Sequence, residues 1–263
     1  MTISKLELMN TLEKIAPSEL AEPWDNCGMQ IDLGAAEINK ILITLEITTK
    51  TVTEAQALGV DFIVTHHPLF FSSVKQIHGN NFIGNNVVNL IRKGISVFSA
   101  HTNFDKAETG NNFYLAELLK LKKVIDLNRF GMEYIGVSGE LSEKKSIRAF
   151  IEDMQRQVDL KSSEIRLIGN PEAEINKIGL CTGAGIGMLE IAAANGCQLF
   201  VTGDVKYHDG IKAKEMGINV IDAGHYGTEK IFVPNMAKQL TQAFGNKVKI
   251  FESKVNINPF DFF

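Results

Sequence analysis

EINKILITLEITTKTVTEAQALGVDFIVT, residues 37–65, returns 137 positions later as EINKIGLCTGAGIGMLEIAAANGCQLFVT, residues 174–202. The two stretches align without a gap and share ten of 29 positions. The identities are Glu37 to Ile41 with Glu174 to Ile178, then Ala55, Ala57, Gly59, Val64 and Thr65 with Ala192, Ala194, Gly196, Val201 and Thr202. Further on, GISVFSA (94–100) echoes GINVIDA (217–223). Each copy reads as strand, helix, strand, with a glycine closing the helix. Ordinary βαβ units share that pattern and resemble one another for that reason alone. A period this long does not fit a solenoid; it implies two related α/β halves, 1–130 and 131–263.

The flanking sequence extends the same alternation. Leu6, Met9, Leu12 and Ile15 recur at helical spacing, and Pro17 ends that helix. Helices are expected over 48–59, 85–94, 112–122, 144–158, 187–196, 207–217 and about 228–243. The intervening apolar runs ILITL, DFIVT, ISVFSA, EYIGVSGEL, EIRLIG, KIGLCT, QLFVT, INVIDA and KVKIFE read as strands of largely parallel sheets. The composition agrees with a packed protein: 263 residues, 44% hydrophobic and 22% charged, which excludes disordered, collagenous and coiled-coil classes. The net charge of −4 gives no support to a broad basic nucleic-acid surface. No apolar run approaches the roughly 18 residues that span a bilayer, and the acid-bearing N-terminus does not read as a signal peptide. Three scattered cysteines, Cys27, Cys181 and Cys197, make neither a disulfide framework nor a zinc knuckle. The expectation is a cytoplasmic protein with reduced thiols.

In open α/β sheets, ligands bind beyond the carboxyl ends of the strands. Four such ends here are crowded with titratable residues. DFIVT runs into His66-His67-Pro68, and ISVFSA into His101-Thr102-Asn103-Phe104-Asp105. QLFVT runs into Gly203-Asp204-Val205-Lys206-Tyr207-His208, and INVIDA into Gly224-His225-Tyr226-Gly227-Thr228-Glu229. Five of the six histidines lie in these loops; the sixth, His78, lies in QIHGNN. Imidazole and carboxylate together suit zinc, iron, manganese or nickel. His225 and Glu229, like His101 and Asp105, stand four residues apart, on one face of any helix that starts there. Adjacent His66 and His67 diverge and can serve two ions. Singly, each histidine also reads as a structural hydrogen-bonding residue, and Asp105 and Asp204 as helix N-caps. The joint pattern reads as a metal site.

Three further features stay open. Trp24-Asp25-Asn26-Cys27-Gly28 reads as a polar turn whose tryptophan anchors the core, or as a turn whose Asp25 and Asn26 reach the site. GAGIG (183–187) reads as a tight turn or as amides that cradle an anion, without the lysine of a P-loop. The aromatic tail NPFDFF (258–263) reads as packed or as part of a subunit interface.

EPWDNCGMQ (22–30), DFIVTHHPLFF (61–71), SAHTNFD (99–105), VTGDVKYHD (201–209) and GHYGTE (224–229) resemble, in order and over nearly the whole chain, the motifs of the Nif-three-like dinuclear metal-centre proteins, also called GTP cyclohydrolase 1 type 2 homologs. The resemblance implies the family's shorter form, two related α/β halves with no third domain inserted and a two-metal site between them, ligated by His66, His67, Asp105, His225 and Glu229. It implies two divalent cations per subunit, with Asp105 and Glu229 approaching both, and a ring-shaped homohexamer. It also implies a reaction, since some members are described as converting GTP to formate and dihydroneopterin triphosphate. His101 then either supports the ligands from behind or faces substrate, and His101 or His208 is the candidate proton donor; Lys206 is the nearest cation to a triphosphate. The chain departs from the family pattern at Glu46, where an aspartate is usual, and at Cys27, where an aliphatic residue is usual. Two other readings remain beside the hydrolase: a metal-stabilised scaffold or nucleic-acid-binding ring without catalysis, and a nucleotide phosphoesterase. The acidic total weighs against DNA as a partner, and the salt dependence of binding would discriminate.

Overall fold

The structure, a computed structural model, describes residues 2–127 and 135–262. Its strands in chain order are β1 (Ile3–Ser4), β2 (Gly28–Ile31), β3 (Glu37–Ile38), β4 (Lys40–Thr44), β5 (Phe62–Thr65), β6 (Ser96–Ser99) and β7 (Lys122–Asp126). They continue as β8 (Val137–Ser146), β9 (Arg166–Ile168), β10 (Glu174–Leu180), β11 (Leu199–Thr202), β12 (Asn219–Asp222) and β13 (Lys249–Glu252). One sheet runs β13-β4-β5-β6-β2, the other β7-β8-β10-β11-β12-β9, and β1 with β3 forms a small antiparallel pair.

The internal repeat is real at the level of register. In the first sheet Ile41 pairs with Phe62 and Phe62 with Ser96, all in parallel. In the second, Ile178 pairs with Leu199 and Leu199 with Asn219, again in parallel. The first two residues of each triplet are related by the offset of 137 read from the sequence. The correspondence extends one strand further than the sequence showed. β2 lies antiparallel to β6 with Ile31 opposite Val97, and β9 lies antiparallel to β12 with Ile168 opposite Val220. β2 was not expected: GMQI is short, starts on glycine and is only half-buried, so it carries no strand period. The sheets differ on the far side, where β4 takes β13 in parallel but β10 takes β8 antiparallel.

That difference divides the chain in a way contiguous halves do not anticipate. One compact unit comprises Met1–Gly110 and Phe232–Ile257, the other Asn111–Ile231 and Asn258–Phe263. The expected boundary, between residues 130 and 131, lies outside the described residues. The chain returns to the first unit because β13 has its hydrogen-bonding partner there, Lys249 to Glu252 against Lys40 to Ile43. The helix Phe232–Phe244 precedes it, and the Asn235 and Gln239 amides donate to the Thr109 carbonyl at 3.0 and 2.9 Å.

The central parallel strands are buried on both faces, which is why β5 and β11 read as unbroken apolar runs rather than as alternation. In the first unit Leu42, Ile63 and Val97 meet Val52, Ala55, Val87 and Leu90 of the covering helices. In the second, Ile178, Val201 and Ile221 pack with Phe150, Met154 and Leu115, while Phe200 and Val220 on the other face meet Leu189, Ala192 and Ala213. The expected helix over 112–122 is shorter, Asn111–Leu118, and yields to β7. The single helix expected over 228–243 is two, His225–Glu229 and Phe232–Phe244. No helix among the described residues is long and apolar enough to cross a membrane.

Candidate metal centre

Beyond β5 the parallel ladder does not stop at Thr65. The His66 amide donates to the Thr44 carbonyl at 3.3 Å and the His67 amide to the Leu45 carbonyl at 3.0 Å, so both histidines inherit the sheet's rigidity. The His66 side chain is fully buried against the Phe232 ring, with centroids 5.0 Å apart. Its Nδ1–H donates to the Ala100 carbonyl at 2.8 Å, and its Nε2 lies 3.6 Å from Oδ2 of Asp105. His67 sets Nδ1 3.1 Å from the Glu46 carboxylate. His101 caps the short helix Thr102–Lys106 that follows β6, and its Nδ1 lies 2.9 and 3.0 Å from the two Asp25 oxygens. One donor atom from each of His66, His67 and His101 lies within 4.8 Å of the others.

Asp25 is a heavily engaged carboxylate. Its side chain is fully buried, and the Thr102 amide and hydroxyl and the Cys27 thiol all donate to it. Burial raises its pKa, but the hydrogen bonds from His101, Cys27 and Thr102 outweigh burial and hold the carboxyl well below the usual carboxylate range. Burial and the neighbouring carboxylate push the Cys27 thiol up to about 11.

In the second unit the loop after β12 forms the helix His225–Glu229, which puts both functional side chains on one face. His225 Nδ1 lies 2.8 Å from Asp204, and its Nε2 lies 2.9 Å from the buried Glu229 carboxylate. Two glycines make room for this. Gly183 sits at φ +66°, and a Cβ there would fall 2.0 Å from Oε1 of Glu229. A Cβ on Gly203 would fall 2.6 Å from the backbone of Gly224 and His225. The amides of Gly183 and Gly185 are taken by the Thr228 and Thr202 hydroxyls, both at 2.9 Å, so the GAGIG stretch is a packed turn rather than an anion cradle.

The chemistry of these donors fits divalent cations. Four histidines each have Nδ1 engaged by an oxygen: a carbonyl for His66, carboxylates for His67, His101 and His225. An imidazole that donates Nδ1–H leaves Nε2 as the lone-pair atom, and this outer hydrogen bond is what orients metal-ligating histidines and raises their basicity. Asp105 in the first unit and Glu229 in the second are buried carboxylates that add anionic oxygen to these nitrogen donors. A family profile described as Duf34/NIF3 (NGG1p interacting factor 3) matches residues 1–259. The chain belongs to this family. A Clostridium perfringens relative named GTP cyclohydrolase 1 type 2 homolog is 31% identical over 97% of this chain and 98% of its own. A Helicobacter pylori relative named GTP cyclohydrolase 1 type 2 is 33% identical over 89% of this chain and 90% of its own. Among solved structures, a hypothetical protein of Staphylococcus aureus superposes with a TM-score of 0.90 at 27% identity, covering 99% of both chains.

Within this NIF3-family chain, His101, expected to support the ligands or to face substrate, stands beside His66 and His67. His208 is exposed at the start of the helix Tyr207–Met216, its ring edge-on to Tyr207 at 5.3 Å, and it belongs to none of the donor groups among the described residues. Asp204, open between capping and ligand support, backs His225. Asp25 and Glu46 were not read as partners of histidine. Asp25 lies 76 positions from His101, and only the antiparallel placement of β2 beside β6 brings them together. Trp24, weighed as a core anchor, is 59% exposed.

Proposed function

We propose that this chain is a metal-dependent hydrolase of the GTP cyclohydrolase kind, taking GTP to formate and dihydroneopterin triphosphate. In this reading His66, His67 and Asp105 of the first unit and His225 and Glu229 of the second hold two divalent cations per subunit, of zinc, iron, manganese or nickel type, with His101 beside them. The observation that carries it is the set of four histidines, each with Nδ1 already committed to an oxygen partner. Histidines that ligate metal almost always commit their other ring nitrogen to a carboxylate or carbonyl in this way. Divalent cations bound to such a site supply Lewis acidity and bring the pKa of water near 7.

The residues of the chain have separable tasks in this reaction. Asp105 and Glu229 offset part of the cationic charge and, being buried, do so in a medium where charge acts strongly. The Asp25 carboxylate holds the His101 ring in one orientation and tautomer, so that Nε2 is the atom that meets substrate or accepts a proton. The names of the relatives supply the nucleotide. A homohexameric ring belongs to the same reading, and the exposed rings of Phe260 and Phe262 favour a covered surface at the C-terminus.

Metal analysis of the purified protein, joined to a GTP incubation that follows formate and the pterin triphosphate by mass, tests the proposal. About two ions per chain, with turnover that chelation abolishes and metal restores, is the expected result. Two ions with GTP untouched removes the substrate. No stoichiometric metal after reconstitution removes the site.

A further inference from the structure

Beside the three histidines of the first unit stands a pair of aromatic side chains that the donor chemistry does not use. Trp24 is 59% and Phe71 63% exposed, and their ring centroids are 5.9 Å apart. Both touch His101: Trp24 at 6.3 Å and Phe71 at 6.5 Å, each ring close to perpendicular to the imidazole. We propose that Trp24 and Phe71 form a stacking platform for a planar heteroaromatic ring of purine size, which positions it over His101.

The platform is built, not merely exposed. Three consecutive residues of the Trp24-Asp25-Asn26 turn have three destinations. Asp25 points inward and locks the turn to His101 and Thr102. Asn26 locks it to the neighbouring loop, its Nδ2 donating to the Phe70 carbonyl at 2.6 Å. Gln30 closes the circuit, accepting from the Phe70 amide at 3.2 Å and donating to the Asn26 carbonyl at 2.7 Å. Phe71 follows directly, on a segment anchored by buried Pro68 and Leu69. Trp24 thus stands exposed on a turn that is tied to the segment carrying Phe71. Rings held this way lose little freedom when a ligand arrives, which is the property that turns exposed aromatic area into affinity. With centroids 5.9 Å apart the two rings leave no slot between them for a third, so a ligand stacks on their outer faces rather than being sandwiched. Stacking tolerates any base with a π-face, and the adjacent histidines act on whichever ring atom the pose presents.

This inference rests on the hydrolase reading for its choice of purine, and the test separates the two. Trp24 is the only tryptophan, so its emission reports the platform alone. Guanosine and GTP are titrated into the full chain, with ribose 5-phosphate as the non-aromatic control and free tryptophan amide as the inner-filter control. Metal content is measured on the same samples. Saturable quenching by guanosine and GTP, none by ribose 5-phosphate, and an affinity about tenfold weaker in Phe71→Ala is the expected result; calorimetry with Trp24→Ala should show a loss of the same order. No saturable response, or one that Phe71→Ala leaves untouched, overturns the platform. Emission that follows protein concentration but not purine also overturns it and assigns the face to a second copy of the chain. Purine binding by a protein that holds no metal would sink the hydrolase reading and leave the platform standing; metal-dependent GTP turnover that Trp24→Ala and Phe71→Ala both leave unchanged would do the reverse.

Discussion

The loops after β6 and β12 sit at equivalent places in the repeat, and both carry histidine and an acid four residues on: His101 with Asp105, His225 with Glu229. Their surroundings are solved in opposite ways. In the first unit the positions around this pair are filled with side chains: Glu46 after β4, His66 and His67 after β5. In the second unit the positions 137 later are Gly183, Gly203 and Asp204. Glu46 and His66 of one copy are thus glycines in the other, and the glycines let the backbone close onto His225 and Glu229. The histidine support differs as well. Asp204 comes from the next parallel strand of the sheet, whereas His101, whose corresponding neighbour is itself a histidine, takes its acid from Asp25 ahead of β2. The duplicated scaffold supplies strand ends at fixed spacing; the chemistry at each end was decided separately.

Gly183→Ala should break this comparison most visibly. The added methyl collides with the Glu229 carboxylate at a φ of +66° that side-chain-bearing residues rarely adopt. A loss of about 1–3 kcal/mol is expected, seen as a fall in Tm of roughly 2–12 °C for a chain of this size, together with reduced metal content. The equivalent position in the other copy, changed as Glu46→Ala, should move Tm by about 1 °C or less, since Glu46 is a half-exposed side chain. Equal effects from the two substitutions would show that the close approach at Gly183 is relaxed in solution.

Next in size is the pair of backing acids. Removing an outer-shell partner of a ligating histidine typically lowers metal affinity by about 10–100-fold. Asp25 is buried and Asp204 half-exposed, so Asp25→Asn should lie at the upper end of that range and Asp204→Asn at or below the lower, read by competition with a chelator. Asp25 also predicts an acid limb. A carboxyl whose pKa is depressed by folding adds stability above its unfolded value and loses it as pH falls through the folded one. The native chain should therefore lose Tm below about pH 4 more steeply than Asp25→Asn does. Parallel acid limbs would mean that the charge on Asp25 is not what holds His101.

How much of this was legible in sequence follows from how local each signal is. The repeat, the buried parallel strands and the histidines at their ends were readable because strand, helix and glycine stop lie within a few tens of residues of one another. The i, i+4 pairs were readable because helical spacing is local. Asp25 was not, because its partner is 76 positions away and β2 carries no strand period. Nor was the return of β13 to the first sheet: KVKIFE reads as a strand, but which edge it joins is a tertiary choice. Trp24 misled because a lone tryptophan is usually a burial signal, whereas here Asp25 and Asn26 take the inward contacts and leave the indole outside.

Glu46 sharpens the comparison at its small end. Its carboxylate meets His67 Nδ1 at 3.1 Å, formally the same arrangement as Asp25 with His101 and Asp204 with His225. If the hydrogen bond alone set the contribution, the three acids would be interchangeable. Exposure argues otherwise: a half-exposed pair is worth about 0–1 kcal/mol and is screened by salt. In Glu46→Gln the amide oxygen can still accept from Nδ1–H, so only the charge is lost. Metal affinity should fall less than about fivefold, the factor that corresponds to the upper end of that range, and the deficit should shrink as salt is added. A loss as large and as salt-resistant as that of Asp25→Asn would show that the imidazole of His67 needs a full negative charge behind it, and that the position held by Gly183 in the other copy was emptied at a real sacrifice.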